Sequence, residues 1–337
     1  MAALQKTVAW IGLGAMGAPL AGRVASAISG VRVFDLDTGA IDRFHSQHST
    51  AIPCASLEDA VAGADCVFSC LPKSEHVRSC VDQMLGAGLD RAALPGVWTD
   101  ASSGDPTTSA ELAAQLRDEG GPTHFVDCAV SGGPVGARAG TVAAMIGGDA
   151  GAYEEVEPII DAFAGTQVHL GPPGAGPSKR FCGALFTAWP PIDPPSKSSF
   201  LLNYFMTGHA TKAINNTLLA ANLWTAAEGV LALTKLGVSA EKACAAISAG
   251  SGRSFATMQR FPDYVFTRKF DYGFALALHC KDIGIAMDLF DKTDSPAPVL
   301  RHVREMATVA RRELGDDADH VEMVKMLEKW TGAELRP

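Results

Sequence analysis

The chain lacks a basic block. Its 28 lysines and arginines are outnumbered by 37 acidic residues, for a formal net charge of −9. A nucleic-acid surface needs clustered positive charge, so that class of partner is excluded. Paired metal-binding patterns are missing too. The eight cysteines are spread over the chain, and no CxxC meets a second CxxC or an HxxxH. Cys66 and Cys70, which flank "VFS", stand in an apolar strand context. The cysteines read as reduced core thiols, and no metal site is expected. No repeat of fixed period occurs. The start, "MAALQKTVAWIGLG", has no charged segment leading into an apolar run and no Arg-rich transit character. The longest apolar helix is interrupted by Asn222, Thr225 and Glu228, which makes it a poor membrane span. These features point to a soluble cytoplasmic chain with no membrane partner.

What is present suffices for a large core: 47% of the residues are hydrophobic. Short apolar runs alternate with helical patterns over the first half. The runs are "TVAWI", "VRVFD", "DCVFSCL", "GVWTD", "HFVDC", "TVAAMIGG" and "QVHLG". Ser56, three residues before Asp59, and the pair Asp105–Pro106 supply helix starts. Strands alternating with helices predict a mainly parallel sheet covered on both faces. From Thr211 onward the pattern is helical, with a stop at Gly237 and a new start at Ser239. The expected fold is α/β: a Rossmann-type doubly wound domain over 1–171, then an all-α domain over 211–337. Between them, within 172–210, residues 177–208 hold five prolines and no period. So long a structureless connection is uncommon in a compact domain. It reads as a surface insertion or as untranslated sequence such as a retained intron.

"WIGLGAMGAPLA" carries Gly12, Gly14 and Gly17 as G-x-G-x-x-G, after a strand and at the head of a helix. In that setting the first glycine permits a tight turn, the second lets a pyrophosphate approach, and the third packs helix on strand. Leu13, Ala15 and Met16 complete a loop whose helix N-terminus binds phosphate. Asp35 ends the second strand, where a carboxylate accepts from a ribose 2′-OH and repels a 2′-phosphate, so NAD is the expected cofactor. Asp37 is the weaker candidate for that position.

"GHATKAINN" opens the long helical segment, and Lys212 and Asn216 fall one turn apart on one face. That face meets either water or a substrate. Three further stretches stand in order before it: "IGLGAMGAPLA", "DASSGDP" (100–106) and "DCAVSGGPVGARAGTVAAMIGG" (127–148). "KDIGIAMD" (281–288) follows. With these motifs the chain resembles the β-hydroxyacid dehydrogenase family, over nearly its whole length except 177–208. Two departures are Arg23, where the glycine motif usually ends in Asn, and Ser103 in place of Thr.

The resemblance implies that Lys212 is the acid–base group and that Asn216 orients the same region of the substrate. A lysine near its reference pKa of ~10.4 is a poor base at neutral pH, so burial or a neighbouring cation is required. Lys281, placed on the nicotinamide side by resemblance, is a candidate for that cation. Ser131, Gly132 and Gly133 match the carboxylate pocket, while Leu71, Pro72 and Ser103 line the nicotinamide half. The expected activity is NAD-dependent oxidation of a small β-hydroxyacid, with 3-hydroxyisobutyrate as default. Threonate-type sugar acids come next, then glyoxylate or succinic semialdehyde reduction. A non-catalytic cofactor-binding module is the reading from another class, and the presence of Lys212 speaks against it. Family members associate, so a homodimer or homotetramer is expected.

Overall fold

The computed structural model describes residues 6–118, 123–171 and 207–337. The expected insertion at 177–208 lies outside the described residues except for Thr207 and Gly208. Those two open the helix Thr207–Lys235, so they are not part of a poorly packed insertion. The chain divides into two compact units, Met1–Lys212 and Ala213–Pro337.

The first unit is built on an eight-stranded sheet. Its strands are β1 (Val8–Ile11), β2 (Arg32–Phe34), β3 (Ile52–Pro53), β4 (Cys66–Ser69), β5 (Val97–Asp100), β6 (His124–Ser131), β7 (Val142–Gly147) and β8 (Ala164–His169). Their order is β3-β2-β1-β4-β5-β6-β7-β8. Every pair is parallel except β6 with β7. β1 shows why the runs are continuously apolar. Val8 and Trp10 join the core on one face, Ala9 and Ile11 the core on the other, and all four are buried. The sequence reading passed over β3. Both its residues are exposed, and it pairs with β2 at the sheet edge, where a proline is tolerated.

The helix starts behave as their residues dictate. Ser56 accepts from the Asp59 N–H at 3.1 Å, and Asp105 accepts from the Thr108 N–H at 3.0 Å. Gly237 (φ +87°) follows the end of the long helix, and Ser239 caps the next at Lys242.

The second unit is helical, with Ala240–Ala249, Leu276–Lys292, Pro298–Leu314 and Val324–Thr331 gathered with the long helix. Ala256–Val265 forms a π-helix containing Pro262. By length and composition alone, one helix among the described residues, Thr207–Lys235, is apolar enough to cross a membrane. Its Leu223, Trp224, Ala227, Val230 and Leu231 are buried in this unit's core.

Seven cysteines are described, and all are free thiols. Burial pushes Cys66 and Cys70 up to about 12, and Cys80 and Cys244 up to about 11.

Candidate active site

Because β2, β1, β4, β5 and β6 are mutually parallel, their carboxyl ends share one edge of the sheet. β1 lies where strand order reverses, with β2 on one side and β4 on the other. Open α/β sheets bind ligands in the crevice at such a point.

The glycine loop follows β1. Gly12 has φ +98°, and a Cβ there would stand 2.4 Å from the Cys70 carbonyl oxygen. The buried Trp10 indole N–H donates to the Gly12 carbonyl at 3.0 Å, which fixes the turn from below. At Gly17 a Cβ would meet the Gly12 oxygen at 2.2 Å, so helix and strand approach as only glycine permits. Gly14 differs: a Cβ there meets nothing within 4 Å. The helix Gly17–Ala27 has no side-chain cap and no acidic residue in its first turn. An uncapped helix start under open space fits a dinucleotide pyrophosphate.

Asp35 follows β2. Its carboxylate accepts the Leu13 N–H at 2.6 Å and the Asp37 N–H at 2.8 Å, tying the glycine loop to the end of β2. Asp37 is committed elsewhere: it caps the helix Thr38–Gln47 and pairs with Arg43. That pairing holds its carboxyl below the usual range.

After β4, the Leu71 N–H donates to the Ser102 hydroxyl at 2.9 Å, linking Leu71–Pro72 to the loop after β5. Ser102 and Ser69 both donate to Asp100, and the Trp98 indole donates to Ser69 at 3.0 Å. Ser103, the residue expected to line the cofactor, sits next to this network and is half-buried. After β6, Ser131 leads into Gly132 (φ +144°) and Gly133 (φ +64°). Two successive glycines with positive φ make a sharp turn of the kind whose main-chain N–H groups can face an anion.

The long helix begins in the first unit. Gly208 packs against β6 and β7, where a Cβ would lie 2.5 Å from the Met145 oxygen. His209 is buried, its N–H donating to Asp127 at 2.7 Å. Lys212 is buried as well, with 8% exposure. Asp127 is fully enclosed, and burial pushes its carboxyl up to about 6, against the opposing charge and N–H of His209. Sequence reading missed Asp127 and His209. The available signal was a polar residue inside an apolar run.

In the second unit, the buried Asn216 donates its amide to Asp282 at 2.6 Å, and His279 meets the Asn216 carbonyl at 2.8 Å. Lys281 stands 3.4 Å from Asp282, so the cation expected from sequence already has a carboxylate beside it. Arg260 is buried on the π-helix with its guanidinium over Tyr272, 3.7 Å from the ring centre. Among the described residues no group of His, Cys, Asp and Glu is arranged to hold a metal.

Residues 7–171 match the family model for the NAD binding domain of 6-phosphogluconate dehydrogenase. Residues 207–327 match that for the NAD-binding region of NADP-dependent 3-hydroxyisobutyrate dehydrogenase. The probable 3-hydroxyisobutyrate dehydrogenase of Mycobacterium tuberculosis is 30% identical over 306 residues, covering 89% of this chain and 90% of that protein. An NAD-dependent L-serine dehydrogenase of Pseudomonas aeruginosa is 31% identical over 305 residues, covering 88% and 89%. The 2-(hydroxymethyl)glutarate dehydrogenase of Eubacterium barkeri is 26% identical over 328 residues, covering 97% of each. A solved Mycobacterium tuberculosis 3-hydroxyisobutyrate dehydrogenase with L-serine superposes with a TM-score of 0.78 at 28% identity, covering 96% of this chain and 99% of that one.

Proposed function

We propose that this chain, which belongs to the β-hydroxyacid dehydrogenase family, oxidises a small β-hydroxyacid with NAD, using Lys212 as the acid–base group. The observation that carries this reading is the buried Lys212 with the buried Asn216 one turn later on the same helix. A buried lysine needs a reason to be there, because an ammonium without water is costly unless it is used or paired. NAD supplies a hydride acceptor. Lys212 takes the hydroxyl proton as the C–H electron pair leaves, and returns it in the reverse direction. Asn216, its amide turned by Asp282, orients the reacting oxygen. Ser131, Gly132 and Gly133 receive the substrate carboxylate. Gly12 to Gly17 hold the pyrophosphate, Asp35 the ribose, and Leu71, Pro72, Ser103 and Lys281 the nicotinamide side.

NAD is favoured over NADP because the Asp35 carboxylate stands beside the glycine loop. 3-Hydroxyisobutyrate is the first substrate to try, with L-serine, 2-(hydroxymethyl)glutarate and threonate beside it. The enzyme works in the cytoplasm as a homodimer or homotetramer. Phe255, Met258, Val299 and Trp330 expose apolar surface on the helical unit, which supports association there.

The test is absorbance of reduced cofactor with this panel, for wild type and Lys212→Ala. Saturable NAD reduction that disappears in the variant supports the reading. Absence of turnover with every hydroxyacid, or an unimpaired variant, refutes it.

A further inference from the structure

His209, three residues before Lys212, is not explained by the hydride and proton transfers. It lies at i−3 from Lys212, and Asn216 lies at i+4, so all three share one helical stripe. Its imidazole is 1% exposed and makes one direct bond, Nδ1 to the Ser109 hydroxyl at 2.8 Å. The same hydroxyl lies 3.2 Å from the Asp105 carbonyl, and whether Ser109 or Nδ1 donates in the contact between them is set by the tautomer of the ring. The other nitrogen, Nε2, faces Asp100 at 3.8 Å and has no hydrogen-bond partner among the described residues. The main-chain N–H of the same residue donates to Asp127.

The surroundings are shaped to this ring. A Cβ on Gly104 would lie 2.6 Å from its Cε1. On the other side, Gly208 and Gly147 bring the helix and β7 against the Asp127 carboxylate, where added Cβ atoms would stand 2.7 and 2.2 Å from its oxygens. A polar side chain this buried costs stability, and apolar packing would hold a helix end more cheaply. What the polar anchor adds is direction. Hydrogen bonds from side chain and backbone of one residue fix both the rotation of the helix and its advance along its axis.

We propose that His209 is the positioning residue for Lys212: held by Ser109 and Asp127, it sets the rotation and advance of the first helical turn and so the place of the lysine amine. The inference rests on Lys212 being the acid–base group. A displacement of about 1 Å at a reacting group costs on the order of 10²-fold in rate. The glycine loop, which takes the pyrophosphate, is anchored through Trp10 and Asp35 and not through this residue, so KM for NAD should change far less than kcat.

The experiment compares His209→Ala, His209→Asn, His209→Gln and Ser109→Ala for kcat and for KM of NAD. Asparagine places an amide atom near Nδ1, able to donate to or accept from the Ser109 hydroxyl, and restores that contact. Glutamine reaches the place of Nε2 and does not. The expected result is a kcat loss of about 10- to 100-fold in His209→Ala, with KM for NAD changed far less. His209→Asn should recover most of that loss and His209→Gln little of it. Ser109→Ala removes the anchor without touching the helix and should lower kcat severalfold. This keeps the idea testable if His209→Ala fails to fold. The inference is overturned by kcat within about threefold of wild type in His209→Ala. It is also overturned by equal losses in the alanine, asparagine and glutamine variants, or by Ser109→Ala at the wild-type rate. Lys212→Ala run alongside separates the two ideas. An active Lys212→Ala removes the premise, whereas an inactive one beside a fully active His209→Ala removes the positioning role alone.

Discussion

Asp282 accepts the side-chain amide of Asn216 at 2.6 Å, while the Asn216 oxygen accepts from Asn215 at 3.1 Å. The amide is thereby fixed in one orientation, with one N–H left for another acceptor. Removing Asp282 leaves a buried donor unpaired, a cost of about 1–3 kcal/mol, and lets the amide turn. Asp282→Ala should therefore lower kcat/KM for the hydroxyacid by about tenfold, since 1.4 kcal/mol is a factor of ten. Steady-state kinetics at saturating cofactor provides the check, and wild-type kcat/KM would contradict the role.

The three glycines of the loop predict different defects. Gly17→Ala forces a Cβ to 2.2 Å from a backbone oxygen, so it should lower Tm. Gly14→Ala meets no protein atom within 4 Å, so Tm should stay within about 1 °C. Its methyl group would occupy the space a phosphate needs, so NAD affinity should fall by about tenfold or more. Thermal melts and cofactor titration on both variants distinguish steric from binding roles. Unchanged affinity in Gly14→Ala would place the pyrophosphate elsewhere.

Asp35 has two tasks, and they separate in a single variant. Asp35→Ser removes the charge that repels a 2′-phosphate and also the acceptor for the Leu13 N–H. The expected outcome is a higher KM for NAD together with a preference ratio moved toward NADP. Equal wild-type kcat/KM with NAD and NADP would contradict the assignment.

Asp127 predicts a pH dependence of stability. Its folded carboxyl titrates at about 6, against 3.8 for the ordinary group, because burial disfavours the charged form. Between those values the folded state holds more protons than the unfolded state. Stability is therefore greatest below the ordinary value and falls as pH rises through about 6. A shift of this size corresponds to about 3 kcal/mol at most. Asp127→Asn should lack this fall. Denaturant titrations from pH 4 to pH 7.5 should show wild type losing stability relative to the variant, and parallel curves would count against it.

How much of this was legible depends on the range over which each residue acts. Gly12, Gly14 and Gly17 were readable because each answers a local need: a positive φ, an open approach, a close packing. Ser56, Asp105 and Ser239 were readable for the same reason, since a cap bonds within three residues. Asp127 and His209 are 82 residues apart, and Asn216 and Asp282 are 66 apart. No periodicity marks a buried polar pair at such separations. Only the sheet register and helix packing bring the partners together. The Ile52–Pro53 strand escaped for the opposite reason: both residues face solvent, so no apolar run announces them.

The enclosed thiols have a practical consequence. Alkylating reagents attack thiolate, and burial keeps all seven described cysteines above the ordinary thiol value. At these seven cysteines such reagents find little thiolate in the folded chain, so their rate of labelling measures how often the structure opens. Cys66, Cys70 and Cys128 sit on or beside the strands of the first unit, and Cys244 lies in the core of the second. Mass spectrometry of timed iodoacetamide pulses would therefore record the opening of each unit separately, with the protein's own side chains as the probes.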